Sequence, residues 1–101
     1  MQWFMIMAND VAESSVRRAE HRKAHRARIE AMQVEGRILT AGPLPIDPAQ
    51  PDRGLSGSLI IAGFDSLDDA RQWAEADPFR AAGVYESIDV RPYEAVFGTT
   101  G

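Results

Sequence analysis

The chain has 101 residues, 45% of them hydrophobic, a formal net charge of −4 and no cysteine. That length makes one domain with a shallow core, and the missing thiols exclude disulfides, thiolate metal sites, iron–sulfur clusters and cysteine nucleophiles. The acidic balance argues against non-specific nucleic-acid binding, and no apolar run approaches the length of a membrane span.

In chain order, residues 2–8 are a short apolar run with an aromatic start, which reads as a buried strand. It is too short for a signal-peptide core and has no basic leader, so a cytoplasmic protein is the expectation. Residues 13–35 contain no Gly or Pro and are rich in Ala, Arg, Glu and Met, the composition of a helix. Gly36 follows as a closing residue able to take the left-handed conformation. Within this helix, residues 17–28 carry six bases against one acid, Glu20. That local +5 leaves −9 for the rest of the chain. The segment reads either as a solvated face or as a local field that attracts an anionic ligand.

Residues 37–42 read as a strand stopped by Gly42-Pro43, and the Pro- and Gly-rich stretch 43–57 as a long loop. Residues 57–64 are a β-branched run suited to a central strand. Ser66-Leu67-Asp68-Asp69 is a helix start, with Ser66 as the cap and two carboxylates at the positive end. This helix, residues 66–76, ends at Asp77-Pro78, because the residue before proline avoids the α region. Residues 78–82 supply one further turn. Residues 84–94 alternate: Val84, Ile88 and Val90 face one way, while Tyr85, Ser87, Asp89, Arg91 and Tyr93 face the other. The order is β-α-β-β-α-β, an α+β ferredoxin-like arrangement. A single domain over 1–97 and a frayed tail over 98–101 are expected. Two helices cover only one face of a four-stranded sheet, so the other face needs a partner, which predicts a homodimer or higher assembly.

The candidate chemistry lies on the first helix. His21, His25, Ile29 and Met32 fall on one helical stripe; a rival stripe, Ala24, Ala27, Ala31 and Val34, competes for the sheet. His25 reads either as a partly buried histidine with one hydrogen bond or as a general acid/base. The His21/His25 spacing is that of a metal pair, but Arg22 stands where a zinc motif needs Glu and the neighbouring cations repel a metal, so no metal is expected. Asp77 reads either as the cap of a Pro-initiated turn or as a carboxylate that orients the histidine. No glycine pattern marks a nucleotide site, and no cofactor is expected. Ser58 lacks the context of a nucleophile. The βαββαβ order is shared with RNA-recognition modules, but the third strand here is aliphatic at its centre and offers no base platform.

Taken together, these segments resemble the YciI-like family: Arg22-Lys23-Ala24-His25, Glu35-Gly36-Arg37-Ile38-Leu39-Thr40-Ala41-Gly42-Pro43, Gly57-Ser58, Phe64-Asp65-Ser66-Leu67-Asp68-Asp69-Ala70, Trp73-Ala74-Glu75-Ala76-Asp77-Pro78-Phe79, Ala82-Gly83-Val84-Tyr85-Glu86 and Val90-Arg91-Pro92-Tyr93. The resemblance covers roughly residues 3–97. It implies a ferredoxin-like fold paired into a dimeric α/β barrel, and a proposed catalytic histidine and aspartate that map to His25 and Asp77. One relative eliminates chloride from a hydroxylated ring, and the fold is shared with muconolactone isomerases; nothing in this chain carries those substrates over. One departure is Arg26, where relatives commonly carry an apolar residue; it bears on the pocket rim or the packing. The expected function is a small-molecule enzyme that uses His25 and Asp77 for proton transfer in an elimination or isomerisation. The alternative is a non-catalytic, metabolite-binding dimer. The substrate is expected to be small and anionic or phenolic. Its expected contacts are Arg22, Gly42, Pro43 and Ser58.

Overall fold

The computed structural model describes residues 1–98, so residues 99–101 of the expected frayed tail lie outside the described residues. In chain order the elements are β1 (Gln2–Asp10), α1 (Ser15–Val34), β2 (Ile38–Pro45), β3 (Leu55–Phe64), α2 (Leu67–Glu75), α3 (Pro78–Ala81) and β4 (Tyr85–Pro92). The sheet order is β2-β3-β1-β4, antiparallel throughout. This is the α+β, ferredoxin-like arrangement expected from the sequence. Among the described residues no helix is long and apolar enough to cross a membrane.

Alternation in the two central strands builds the core. In β1, Phe4, Ile6 and Ala8 are buried on the helix side, opposite Ala62, Ile60 and Ser58 of β3. Met32, Ala70 and Ala74 close this core from the helices, with Ile29, Ile38, Trp73, Ile88 and Val90 at its edge. Trp3, Met5 and Met7 point to the other face, opposite Gly63, Ile61 and Leu59. Gly57 is required where it stands, because a Cβ there would collide with the Ala8 carbonyl.

Of the two stripes competing on α1, the one carrying His25 faces inward. The buried residues of α1 are Arg18, His25 and Met32, spaced by two turns each. Ala24, Ala27 and Ala31 face solvent, and Val34 is 89% exposed. Met and Ile bury more apolar area than Ala, and that decides which face turns in.

Two expectations need correction. First, β2 does not stop at Gly42-Pro43 but runs on to Pro45, pairing Pro43 with Ser58 and Leu44 with Gly57. β2 is an edge strand, and there a proline's missing N–H costs no ladder bond. The loop shrinks to residues 46–54, which include one 3-10 turn at Pro51–Arg53. Second, Tyr85 does not face away from the core. The β1–β4 register shifts between Asn9 and Asp10, so Ser87 pairs with Asn9 while Tyr85 pairs with Asp10. The extra residue, Glu86, reverses the alternation and turns Tyr85 under the helices, where it is 5% exposed. A β-bulge re-aims a side chain in this way.

Candidate active site

The site forms where the C-terminal end of β1, the first half of α1 and the α2–α3 turn converge. Asp77 begins α3, and its Oδ1 accepts the Phe79 N–H at 2.9 Å. The same carboxylate meets His25: Nδ1 is 2.8 Å from Oδ2 and 3.0 Å from Oδ1. The two readings of Asp77, cap and histidine partner, are therefore both realised by one side chain. It is 2% exposed and His25 is 7% exposed. A carboxylate accepts, so Nδ1 is the donor of this pair, and in the neutral imidazole Nε2 carries the lone pair.

Aromatic packing fixes the imidazole plane. Phe79 stacks on it with centroids 4.1 Å apart and planes 15° apart. Tyr85 meets the imidazole edge-on at 6.3 Å and Phe79 edge-on at 5.5 Å. Among the described residues the Tyr85 hydroxyl is buried without a hydrogen-bond partner, with Ser58 nearby. Burial pushes this phenol up to about 12, partly offset by Ser58. A raised folded-state value means that the native protein holds the proton more tightly than the unfolded chain does. The corresponding stability is intact below pH ~10 and is lost as pH rises to about 12. Tyr85→Phe is expected to remove this alkaline dependence. At pH 7 it should leave stability unchanged or raise it by up to about 1 kcal/mol, because an unsatisfied buried hydroxyl is lost. Thermal melts of both proteins at pH 7 and pH 11 check this, and a marked loss at pH 7 would show that the hydroxyl has a partner.

A second buried pair stands beside the first. Arg18 donates from Nε to Asp10 Oδ2 at 2.6 Å, from Nη2 to Oδ1 at 2.9 Å, and from Nη2 to Ser58 Oγ at 2.9 Å. Its guanidinium carbon is 5.0 Å from the Phe79 centroid. Ser14, at the N-cap of α1, makes no capping bond; its hydroxyl donates to Asp10 Oδ2 at 2.5 Å. A group that would ordinarily stabilise the helix end is committed to the Asp10–Arg18 pair. One turn beyond His25, Arg28 donates to the Trp73 carbonyl at 2.8 Å and packs 4.5 Å from the Trp73 ring centroid. Burial lowers its pKa and nearby Asp77 opposes the shift.

Of these groups, Arg18, His25, Ser58 and Phe79 border a cavity of about 520 Å³. Of the residues singled out in the sequence, His25, Arg22, Gly42, Pro43 and Ser58 line it; Asp77 stands behind His25 and does not. Arg26 and Arg18 also line it, with Ile29, Ile38, Ile60 and Phe79 as its apolar walls. Arg22 and Arg26 are exposed and have no carboxylate partner among the described residues. Sequence reasoning missed Asp10, Arg18 and Tyr85. Arg18 did carry a signal, seven residues before His25 on the same stripe. Asp10 and Tyr85 carried none, because the bulge that brings them together leaves no mark in either strand. Among the described residues no group of three or more His, Asp or Glu is placed to hold a metal.

The YCII-related domain family matches residues 2–94. The chain belongs to this family. Members similar to it include Protein YciI of Escherichia coli, 48% identical over 96 residues that cover 93% of this chain and 98% of the relative. A Haemophilus influenzae protein without an assigned role is 41% identical over 97 residues, covering 94% and 99%. Among solved structures, the chain is similar to 5-chloro-2-hydroxyhydroquinone dehydrochlorinase (TftG) of Burkholderia phenoliruptrix in complex with 2,5-dihydroxybenzoquinone. The TM-score is 0.79 at 28% identity, covering 91% of this chain and 93% of that one. The fold of this YCII-related chain is thus shared with a protein named as a small-molecule enzyme.

Proposed function

We propose that this chain is a small-molecule enzyme in which His25 moves a proton and Asp77 orients it, in an elimination or an isomerisation. The observation that carries this reading is the 2.8 Å contact between His25 Nδ1 and a buried carboxylate, with the His25 ring on the wall of the cavity. Such a pair fixes the tautomer so that Nε2 faces the reactant as a base, and it stabilises the imidazolium formed after proton uptake. Dehydrochlorination, the activity named for TftG, removes a proton and a chloride from one molecule; an elimination in general removes a proton and a leaving group that departs with its bonding pair. Isomerisation moves the proton from one carbon to another. Both reactions balance without an external oxidant or reductant. The substrate is small and anionic: Arg22 and Arg26 raise the local concentration of anions at the cavity, while Gly42, Pro43 and Ser58 complete its wall. The test is incubation with small phenolic and carboxylic acids and chlorinated hydroquinones in D2O. C–H exchange or chloride release that depends on His25 supports the reading. Ligands that bind against His25 without either process would make the chain a metabolite-binding module.

The helix-free sheet face carries the second half of the proposal. Trp3, Met5, Met7, Leu59 and Ile61 share that face, while Met32 of α1 and Ala70 and Ala74 of α2 pack on the opposite one. Two copies are expected to pair face to face and bury on the order of 1,200 Å² or more in total. Sedimentation velocity at micromolar concentration should give a dimer. A monomer under those conditions rules out this pairing.

A further inference from the structure

Arg18 is more than nine-tenths buried in the wall of the site, yet its bonding is incomplete. Asp10 takes Nε and one hydrogen of Nη2, and Ser58 takes the other. The third nitrogen, Nη1, has no acceptor among the described residues, and Arg18 lines the same cavity as His25. A guanidinium fixed on two of its edges has lost its rotamer freedom before a ligand arrives, so less entropy is lost when the remaining edge is used. Arg22 and Arg26 differ in kind. They are exposed and long, so they attract an anion but do not orient it. Asp10 already balances the charge of Arg18, so the outer two arginines supply the attraction and Arg18 supplies the direction.

The cavity then limits the ligand. Arg18 and His25 lie two turns apart on α1, the Phe79 ring packs against both, and both line the same cavity of about 520 Å³. A ligand that engages both is small, with its anionic group at one end and its reacting atom at the other. Ile29, Ile38, Ile60 and Phe79 supply apolar walls that suit a ring between the two ends.

We infer that the Nη1 edge of Arg18 anchors the carboxylate of a small ring-bearing acid and sets the ring so that its far side faces His25. The identity of the reacting end rests on the role proposed for His25; the anchor does not depend on turnover.

The test titrates the full chain with benzoate and with benzamide, which has the same shape without the charge, following amide NMR shifts at pH 7. Benzoate should bind about tenfold more tightly, the worth of one charge-assisted hydrogen bond. That preference should survive 0.5 M salt, because a buried contact is screened far less than an exposed one. Arg18→Lys should abolish it, since an ammonium cannot hold Asp10 and reach the ligand together. Asp10→Asn keeps one acceptor for Arg18 but turns an amide N–H against its other donor, so Arg18 loses its fixed edge and in 0.5 M salt the preference for benzoate should fall. Equal binding of the two probes, a preference lost in high salt, a preference retained in Arg18→Lys, or a preference in 0.5 M salt unchanged in Asp10→Asn each overturns the anchor. If Arg18→Lys does not fold, the salt and Asp10→Asn results decide. Failure here leaves His25-dependent proton exchange untouched, so the two readings fail separately.

Discussion

Replacing His25 by alanine is expected to slow the proton-transfer step by about a hundredfold to ten-thousandfold, the usual contribution of a positioned acid/base. The fold and the dimer should persist. The substitution strips a buried carboxylate of one partner but leaves it the Phe79 N–H, at a cost of about 1–3 kcal/mol. A domain of this size holds ~5–15 kcal/mol in total. Asp77→Asn should act in the same direction more mildly. Its amide oxygen can still accept the Phe79 N–H, so the cap survives while the negative charge that stabilises the imidazolium is gone. Turnover or deuterium exchange, measured beside thermal melts on both variants, separates chemistry from stability. If unfolding is the only defect in both, the enzyme reading is wrong.

Phe79→Ala is expected to be the most damaging substitution for stability, at about 3–5 kcal/mol. The ring is 1% exposed and is packed by His25, Tyr85, Ala8 and Val84. Removing it leaves a void beside the imidazole and frees the plane that stacking had fixed. The melting temperature should fall by more than about 10 °C. Phe97→Ala is the matched control: the same change at a side chain 91% exposed should stay within about 0.5 kcal/mol. Equal effects at the two positions would mean that the Phe79 environment is not close-packed.

The sequence displayed most of the fold because period and punctuation agreed along it. Ser66 with Asp68 and Asp69 announced α2, and Ser66 does accept the Asp69 N–H at 3.1 Å. Gly36 closed the first helix at φ +73°. What the sequence hid was non-local. Whether a strand ends at Gly42-Pro43 depends on whether it lies at the edge of the sheet, and only the assembled order β2-β3-β1-β4 decides that. Tyr85 alternates with its neighbours as an outward residue until the bulge at Glu86 reverses it. The same holds at the site. The contact between His25 and Asp77, 52 residues apart, was suggested by resemblance and cannot follow from spacing. Asp10 looked like the end of a strand, and its bond to Arg18 appears only once β1 and α1 are folded against each other.

The prolines of the outer strands have a consequence for how the molecule meets other copies of itself. An open sheet edge is a template for unwanted chain-to-chain growth. Here β2 carries Pro43 and Pro45, while β4 ends in Pro92 and presents Glu86, Asp89 and Arg91. Both flanks therefore lack donors or carry charge where an incoming strand would need to bond. Lateral, fibre-like extension is discouraged on each side, and the face-to-face pairing proposed above would, by its two-fold symmetry, close after two subunits and not propagate.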